Sequence, residues 1–421
     1  MKKMKKLNLL IAIIFTMTMG YSQSDWYSQN SGVNNYLFDV HFINQSEGWI
    51  SGNTGLILHS TDSGNSWDEL EAPANNTYYS IYFTDAFNGW ATGYGGKIIN
   101  TSDGGQSWNM QTPASSEFLY DIYFLDEYTG WAVGGDNGSY PSFISQREIL
   151  FTNDGGQSWT NQVNESHKSP LKSVHFSSID NGYAVGESGI ILHTTDGGSN
   201  WMEVMWDQSY HMYDVYTTNS TTAYVIAYYL GFPHVPAIFK TTDGGETWTS
   251  QTFAEDVSLS SIYFSDDMYG WASGGENGAA VLLKTTDGGE TWEYDYPYEG
   301  EPLTKVFSFD NQTSWSVGAS GTVLSTTAFF TGFDEISQEN DLRIYPNPAT
   351  STINVRLDNV SGSDMKLNIL NINGQSVYEA RGLNLTENHE IQIPVNNIAS
   401  GLYQLVLSTA SQSYSEKLVV R

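Results

Sequence analysis

TTDGGETW stands at residues 241–248 and again at 285–292, and four close variants precede it: STDSGNSW at 60–67, TSDGGQSW at 101–108, TNDGGQSW at 152–159 and TTDGGSNW at 194–201. Their aspartates, Asp62, Asp103, Asp154, Asp196, Asp243 and Asp287, step by 41, 51, 42, 47 and 44 residues. Self-similarity at that period marks propeller blades or a stacked solenoid, because one such unit cannot bury its apolar face alone.

A second phrase lies upstream of each: GWISG from Gly48, GWATG from Gly89, GWAVG from Gly130, GYAVG from Gly182, a degenerate TAYVIA from Thr222, GWASG from Gly270 and SWSVG from Ser314. Before these come short alternating runs, DVHF, SIYF, DIYF, SVHF, DVYT, SIYF and KVFSF. Each unit therefore offers four short strands. There are seven copies of the second phrase and six of the Asp phrase, and the mismatch is informative. The last unit ends near residues 323–327 without its Trp, whereas WYSQNSGVNNYLFDVHF from Trp26 aligns with WNMQTPASSEFLYDIYF from Trp108. Counting that orphan completes the series Trp26, Trp67, Trp108, Trp159, Trp201, Trp248 and Trp292. An N-terminal strand that completes a C-terminal sheet closes a ring and leaves only short, protected edges. The expectation is an all-β chain with a seven-bladed β-propeller over 23–330. A solenoid would need capping repeats, and the sequence has none.

The Asp phrase has a structural explanation. A carboxylate accepts backbone N–H groups while the following glycines take φ > 0 without steric cost, which ties a hairpin. The Ser or Thr before the Trp adds a hydroxyl, and the Trp packs its ring against a neighbouring blade. The alternative is Ca²⁺ binding, but six separate turns with one carboxylate each make poor cages.

Composition narrows the function. The 421 residues carry 17 Lys plus Arg against 47 Asp plus Glu, a formal charge of −30, with 40 Gly, 13 Trp, 27 Tyr and no Cys. A nucleic-acid partner is excluded on charge, and disulfides, Cys-ligated metals, thiol catalysis and a lipidated N-terminal Cys are excluded by composition. Lys2, Lys3, Lys5 and Lys6 precede an apolar run from Leu7 to Met19, and small Gly20 and Ser22 precede Gln23. Residues 1–22 read as a cleavable secretory signal, since the run is too short to span a bilayer as an anchor. His41 and His175 share one repeat position, and His59 and His193 share another, without the close spacing of a metal site, so no metal or cofactor is expected. No nucleophile elbow, P-loop or dinucleotide fingerprint occurs.

These residues carry a resemblance. The Asp phrase resembles the Asp-box of bacterial neuraminidase repeats, and the whole unit resembles the photosystem II assembly and stability factor-like propellers over 25–330. That resemblance implies a seven-bladed scaffold for protein binding. The assembly factors are expected to use an Arg-rich patch, whereas residues 23–334 hold one arginine, Arg147, and 7 basic against 38 acidic groups. Sialidases share the Asp-box but hold their substrate's carboxylate with three converging arginines, which one Arg cannot supply. Other glycosidases need two carboxylates, and candidates include Asp136, Glu148, Asp207, Glu255, Asp256, Glu299 and Glu301. Asp-box xyloglucan hydrolases use a cleft between two propellers, and one is expected here.

Extra length falls between the second and third strands of blade three, GDNGSYPSFISQRE, and of blade five, YYLGFPHVPA. These insertions flank blade four on one face. With the connection into blade five they bring Tyr140, Phe143, Tyr210, His211, Tyr228, Tyr229, Phe232 and His234 into one region. Aromatics on loops are recognition material, unless they cover the insertions' own small cores.

After Thr331 the repeat stops, residues 331–340 read as a linker, and residues 335–421 are nearly balanced with 9 acidic and 6 basic groups. Alternation at Met365, Leu367 and Ile369, with turns at Asn373-Gly374 and Ser400-Gly401, indicates a small antiparallel β-sandwich over 341–421. RIYPNPATSTINVRL, NILNINGQSVYEA, IASGLYQLVLS and the terminal EKLVVR resemble the type A sorting domain of type IX secretion. By resemblance, Tyr345, Pro346, Asn347, Pro348, Gly374, Gly401, Leu402, Tyr403, Lys417 and Leu418 occupy its motif positions. The resemblance implies the type IX machinery as a partner, and release from or attachment to the outer surface of a Gram-negative cell. An Ig-like binding module is the alternative. The combined expectation is a monomeric, non-enzymatic, exported propeller that binds a protein or glycan through its insertion-bearing face. The alternatives are a secreted glycoside hydrolase and a structural surface-layer component.

Overall fold

The inner strand of each repeat is decided by which side chains it can bury. In Leu37–Phe42, Leu37, Val40 and Phe42 are buried between sheets while Phe38 and His41 keep partial exposure. The register slips between Leu37 and Asp39, leaving Phe38 as an extra residue opposite the second strand. Such a bulge re-aims the side chains on either side of it. The same slip recurs in all seven units, at Tyr78/Ser80, Leu119/Asp121, Leu171/Ser173, Met212/Asp214, Leu259/Ser261 and Leu303/Lys305. The Gly-Trp phrase that follows is equally physical. A Cβ on Gly48 would lie 2.5 Å from the Phe42 ring, so only glycine fits beneath it.

The computed structural model describes residues 26–73, 76–111, 118–137, 145–232, 235–254, 257–295, 300–326, 342–357, 366–370, 376–381, 390–396, 398–399, 401–408 and 413–420. The expected signal segment 1–22 and linker 331–340 lie outside them. The chain divides into two compact units, Met1–Phe329 and Phe330–Arg421. Among the described residues, helical structure is limited to three short turns at Asn53–Gly55, Glu187–Gly189 and Ala319–Gly321. None of their helices is long and apolar enough to cross a membrane.

In the first unit seven antiparallel four-stranded sheets follow one another. Their inner strands, Leu37–Phe42, Tyr78–Phe83, Phe118–Phe124, Leu171–Phe176, Tyr210–Thr217, Val257–Phe264 and Leu303–Ser308, each contact the next, and the last contacts the first. This is a closed seven-bladed propeller. The seventh sheet consists of Leu303–Ser308, Ser314–Gly318, Thr322–Ser325 and the N-terminal strand Tyr27–Asn30. Tyr27 pairs with Ser325 and Asn30 with Thr322.

Aromatic stacks between the blades form the core. Trp49, Trp90, Trp131, Tyr224 and Trp315 lie nearly flat on Phe83, Phe124, Phe176, Phe264 and Phe42 of the following blade, at centroid distances of 3.6–4.0 Å. Each Phe in turn receives the edge of its own blade's outer Trp: Trp67 on Phe42, Trp108 on Phe83, Trp159 on Phe124, Trp201 on Phe176 and Trp292 on Phe264. Blades five and seven have Thr217 and Ser308 at the Phe position. There the outer Trp meets the preceding blade directly, Trp248 on Tyr183 and Trp26 on Trp271. Trp26 therefore serves blade seven as Trp248 serves blade five.

In the second unit Leu342–Tyr345, Thr352–Leu357 and Glu390–Pro394 form one sheet, and Ser376–Arg381, Lys366–Leu370, Gly401–Ser408 and Ser413–Val420 form another. Both are antiparallel. Ile353, Val355, Ile391 and Ile393 of the first share one apolar core with Leu367, Ile369, Leu405, Leu407 and Leu418 of the second.

Candidate functional site

The bulged inner strands place three side chains per blade around the propeller axis. Asp39, Ser80, Asp121, Ser173, Asp214, Ser261 and Lys305 occupy one level, one from each blade. Two residues further on, His41, Tyr82, Tyr123, His175, Tyr216, Tyr263 and Phe307 form a closed ring of rings. Successive centroids are 4.3, 5.3, 4.8, 4.2, 4.7, 4.8 and 5.1 Å apart around the circuit.

The polar level is tied circumferentially. Ser80 Oγ donates to Asp39 Oδ2 at 2.8 Å and lies 3.0 Å from Asp121 Oδ1, so one hydroxyl bridges two carboxylates. Asp39 Oδ2 also accepts the Ile81 N–H, Asp121 Oδ2 the Val174 N–H and Asp214 Oδ2 the Ile262 N–H, each at 2.9 Å and each across a blade boundary. Ser173 Oγ donates to Asp214 Oδ1 at 2.7 Å. Lys305 Nζ lies 3.3 and 3.2 Å from the two oxygens of Asp214. Burial disfavours the Lys305 charge, but Asp214, Asp121 and Asp39 outweigh it and hold the ammonium above its ordinary range. Burial likewise raises Asp39, and raises Asp121 to about 6, with Lys305 pulling the other way. It lowers His41 to about 4 and His175 to about 3, so both imidazoles are neutral. Neutral His175 accepts the Thr217 N–H at Nδ1, 3.3 Å away.

These levels line an axial cavity of about 290 Å³. At the ends of the inner strands the cavity meets a vestibule of about 620 Å³, with which it shares His41, Tyr82, Tyr263 and Phe307. The vestibule adds Asp85, Asp126 and Glu127 from the first turns of blades two and three.

At the other end the bulge residues form a third level. Tyr36, Phe38, Tyr79 and Tyr120 make a row of rings 4.9, 5.2 and 5.4 Å apart, and Phe118 joins Tyr94 to Tyr120. Lys172 Nζ caps the row 3.6 Å over the Tyr120 ring and 3.0 Å from Glu187. Tyr36, Tyr94 and Tyr213 are exposed.

The insertions stand on this same face. In blade five they lengthen the ladder. Tyr210 and His211, expected in a connection, lie in the inner strand opposite Tyr229 and Tyr228, because pairing continues into the insertion. Tyr210 packs on Tyr229 and Phe239 at 5.2 Å each, whereas Phe232 is 92% exposed. Tyr140, Phe143 and His234 lie outside the described residues. Arg147 is buried in blade three with Nη1 3.4 Å from Glu165 and 3.2 Å from Glu203 of blade four. Of the carboxylates considered for glycosidase chemistry, Asp136 and Glu148 are buried within blade three, Asp207 accepts the Ser209 N–H in a turn and Glu301 is exposed. Glu255, Asp256 and Glu299 lie outside the described residues.

The hairpin aspartates are clasps. Asp62 accepts Ser60 Oγ, Ser66 N–H and Ser66 Oγ at 2.8, 2.9 and 2.6 Å. Asp103, Asp154, Asp196, Asp243 and Asp287 repeat the pattern with their own neighbours. The hydroxyl and amide of Thr247 and of Thr291 hold Asp243 and Asp287 at about 2. Trp49 Nε1, Trp90 Nε1 and Trp315 Nε1 donate to the hairpin carbonyls of Gly104, Gly155 and Ser63 in the next blade.

In the second unit Tyr345 ends its strand, and Pro346, Asn347 and Pro348 lead to the C-terminal strand, where Asn347 Oδ1 accepts the Val419 N–H at 2.8 Å. Tyr403 pairs with the buried Leu418, and Lys417 with Gln404 beside it in the strand that Gly401 begins. Gly374 lies outside the described residues.

The axial levels were written in DVHF, SIYF, DIYF, SVHF, DVYT, SIYF and KVFSF, at the first and third letters of each run. Taken singly these runs read only as strands, because a single strand shows alternation and not the axis it faces. The lone Lys305 where the other six blades have Asp or Ser is the available signal.

Residues 343–421 match the secretion system C-terminal sorting domain, and residues 109–255 match the photosynthesis system II assembly factor YCF48. The chain is 30% identical over 109 residues to the photosystem II assembly lipoprotein Ycf48 of Synechococcus sp. (strain CC9902), which covers 25% of this chain and 31% of that relative. Its fold is similar to a YCF48 solved bound to a D1 peptide, with TM-score 0.58, 21% identity, and 72% and 97% of the two chains covered. The GH74 enzyme of Niastella koreensis is similar at TM-score 0.55 and 12% identity, over 93% of this chain and 74% of that one. At such identities these structures share the fold. The sorting domain marks the chain for type IX export, outside or on the outer surface of a Gram-negative cell.

Proposed function

We propose that the protein is a non-enzymatic binding propeller displayed or released outside the cell, which holds a protein or glycan partner on its insertion-bearing face. The observation that supports this most is the contiguous row Tyr36, Phe38, Tyr79 and Tyr120 with Lys172 at its end, beside exposed Tyr213 and Phe232. Flat rings present large contact area at little entropic cost, and stack equally on peptide groups and sugar faces. A propeller of the same fold is known with a peptide bound, in keeping with a polypeptide partner.

The test is retention of the full-length chain on immobilised glycan and outer-surface protein panels, with Tyr36→Ser/Tyr213→Ser/Phe232→Ser as control. Specific retention that drops at least tenfold in the triple variant, with the ligand chain left uncut, is the expected result. Ligand shortening abolished by one Asp or Glu substitution would replace the proposal with a hydrolase.

A further inference from the structure

We propose that the axial cavity, which opens into the vestibule at the opposite end of the propeller from the aromatic row, is a second site that binds an organic cation: an alkylammonium or guanidinium group entering through the vestibule. Three carboxylates, Asp39, Asp121 and Asp214, line it against one ammonium, Lys305. Lys305 spends its hydrogen bonds on Asp214. Asp39 and Asp121 are held by Ser80 and by backbone amides, which orient them without neutralising them. Three carboxyl groups against one ammonium leave the floor formally negative, with Lys305 acting on Asp39 and Asp121 as well as on Asp214.

Above that floor stands the closed aromatic ring. Cations are attracted to aromatic faces, more strongly where water is excluded, and rings around a carboxylate floor make a cage for an organic cation. Seven centroids at the observed spacing lie roughly 5 Å from the axis, so the ring thickness leaves a bore of only a few Å. That width admits a planar guanidinium or an ammonium end-on. The cavity of about 290 Å³ is correspondingly small for a ligand pocket.

A metal ion fits less well. Hard divalent cations take six to eight converging oxygens, whereas the three aspartates sit on blades one, three and five with serines between them. No group of three His, Asp or Glu that would hold a metal occurs among the described residues. The approach is also acidic. Asp85, Asp126 and Glu127 line the vestibule and draw cations toward the bore. Leu125 and Phe309 are exposed beside them, so the cation can arrive as a free amine or as a Lys or Arg side chain of a partner polypeptide.

The experiment is calorimetric titration of the purified full-length chain with agmatine, and separately with a blocked pentapeptide Gly-Gly-Arg-Gly-Gly and its citrulline counterpart. Saturable one-to-one binding of agmatine is expected, weakened at least tenfold in Asp121→Asn and in Tyr82→Leu, each checked for native thermal unfolding. Lys305→Met frees Asp214 and should bind agmatine at least tenfold more tightly. Binding of the Arg peptide but not the citrulline peptide would identify a partner side chain as source; agmatine binding alone would identify a free amine. No saturable binding of either probe by the unsubstituted protein would overturn the proposal, as would equal binding by all variants. The triple variant on the other face should leave agmatine binding unchanged, so the two proposals fail separately.

Discussion

Phe42 of the first blade lies flat against Trp315 of the last, with ring centroids 3.6 Å apart and planes 10° from parallel. Trp315 Nε1 reaches past it to the Ser63 carbonyl of the first blade at 2.9 Å, so the seam is stapled by the same stack that joins every other pair of blades but two. Trp315→Ala should cost about 3–5 kcal/mol, the usual result of emptying a buried Trp site. Urea unfolding measures it. Trp26→Ala, which removes the ring that covers Trp271 from across the seam, should fall in the same range, and a cost under about 1 kcal/mol would mean that ring closure does not depend on the N-terminal strand.

The hairpin clasp predicts a sharper loss at its buried hydroxyl than at its exposed carboxylate. Thr241 is 1% exposed, donates to Asp243 Oδ1 at 2.8 Å and accepts the Gly245 N–H at 3.0 Å. Thr241→Val leaves that amide unpaired and should destabilise by about 1–3 kcal/mol, read as a drop in midpoint of thermal unfolding.

Lys305 and Asp214 form a pair whose halves are worth more than the whole. Lys305→Met leaves the nearly buried Asp214 without its ammonium and should cost about 3–5 kcal/mol, whereas Lys305→Met/Asp214→Asn should recover most of it. A double variant no more stable than the single would show that the pair does not act as a unit.

The axial titratable groups predict opposite pH slopes. His41 falls from 6.5 unfolded to about 4 folded, chiefly through burial, so its contribution is present above 6.5 and lost as pH falls toward 4. His41→Phe should therefore gain on the unsubstituted protein by about 1–3 kcal/mol between pH 7 and 4. Asp121 rises from 3.8 to about 6, also chiefly through burial, so its contribution is full below 3.8 and lost as pH rises through 6. Asp121→Asn should lose ground over the same descent. Parallel pH profiles of stability for the two variants would contradict both assignments.

Passage across the outer membrane should depend on the second unit. Deleting residues 335–421 is expected to leave the propeller in the periplasm of the producing cell, seen by fractionation and immunoblotting, while its unfolding midpoint stays unchanged. Appearance of the truncated chain outside would remove the sorting role.

The propeller was legible because repetition multiplies a weak signal. One hairpin phrase means little, but six in step, with an orphan Trp26 matching a missing strand, leave a ring as the reading that pairs every edge. The second unit was legible for another reason, since Tyr345-Pro346-Asn347-Pro348 and the terminal strand carry their pattern locally. The candidate sites were not. Tyr228 and Tyr229 read as loop residues because nothing in YYLGFPHVPA states that pairing will continue through it.

Residue spacing by itself determined the number of blades, the strand exchange that closes them and the order of the two units, because hydrogen-bond pairing and apolar alternation act between near neighbours and leave a periodic trace. Only the tertiary structure decided what faces the axis. A bulge of one residue re-aims Asp39, Asp121 and Lys305, and their joint environment, carboxyl groups sharing one ammonium beneath a cage of rings, arises from seven strands meeting that are far apart along the chain.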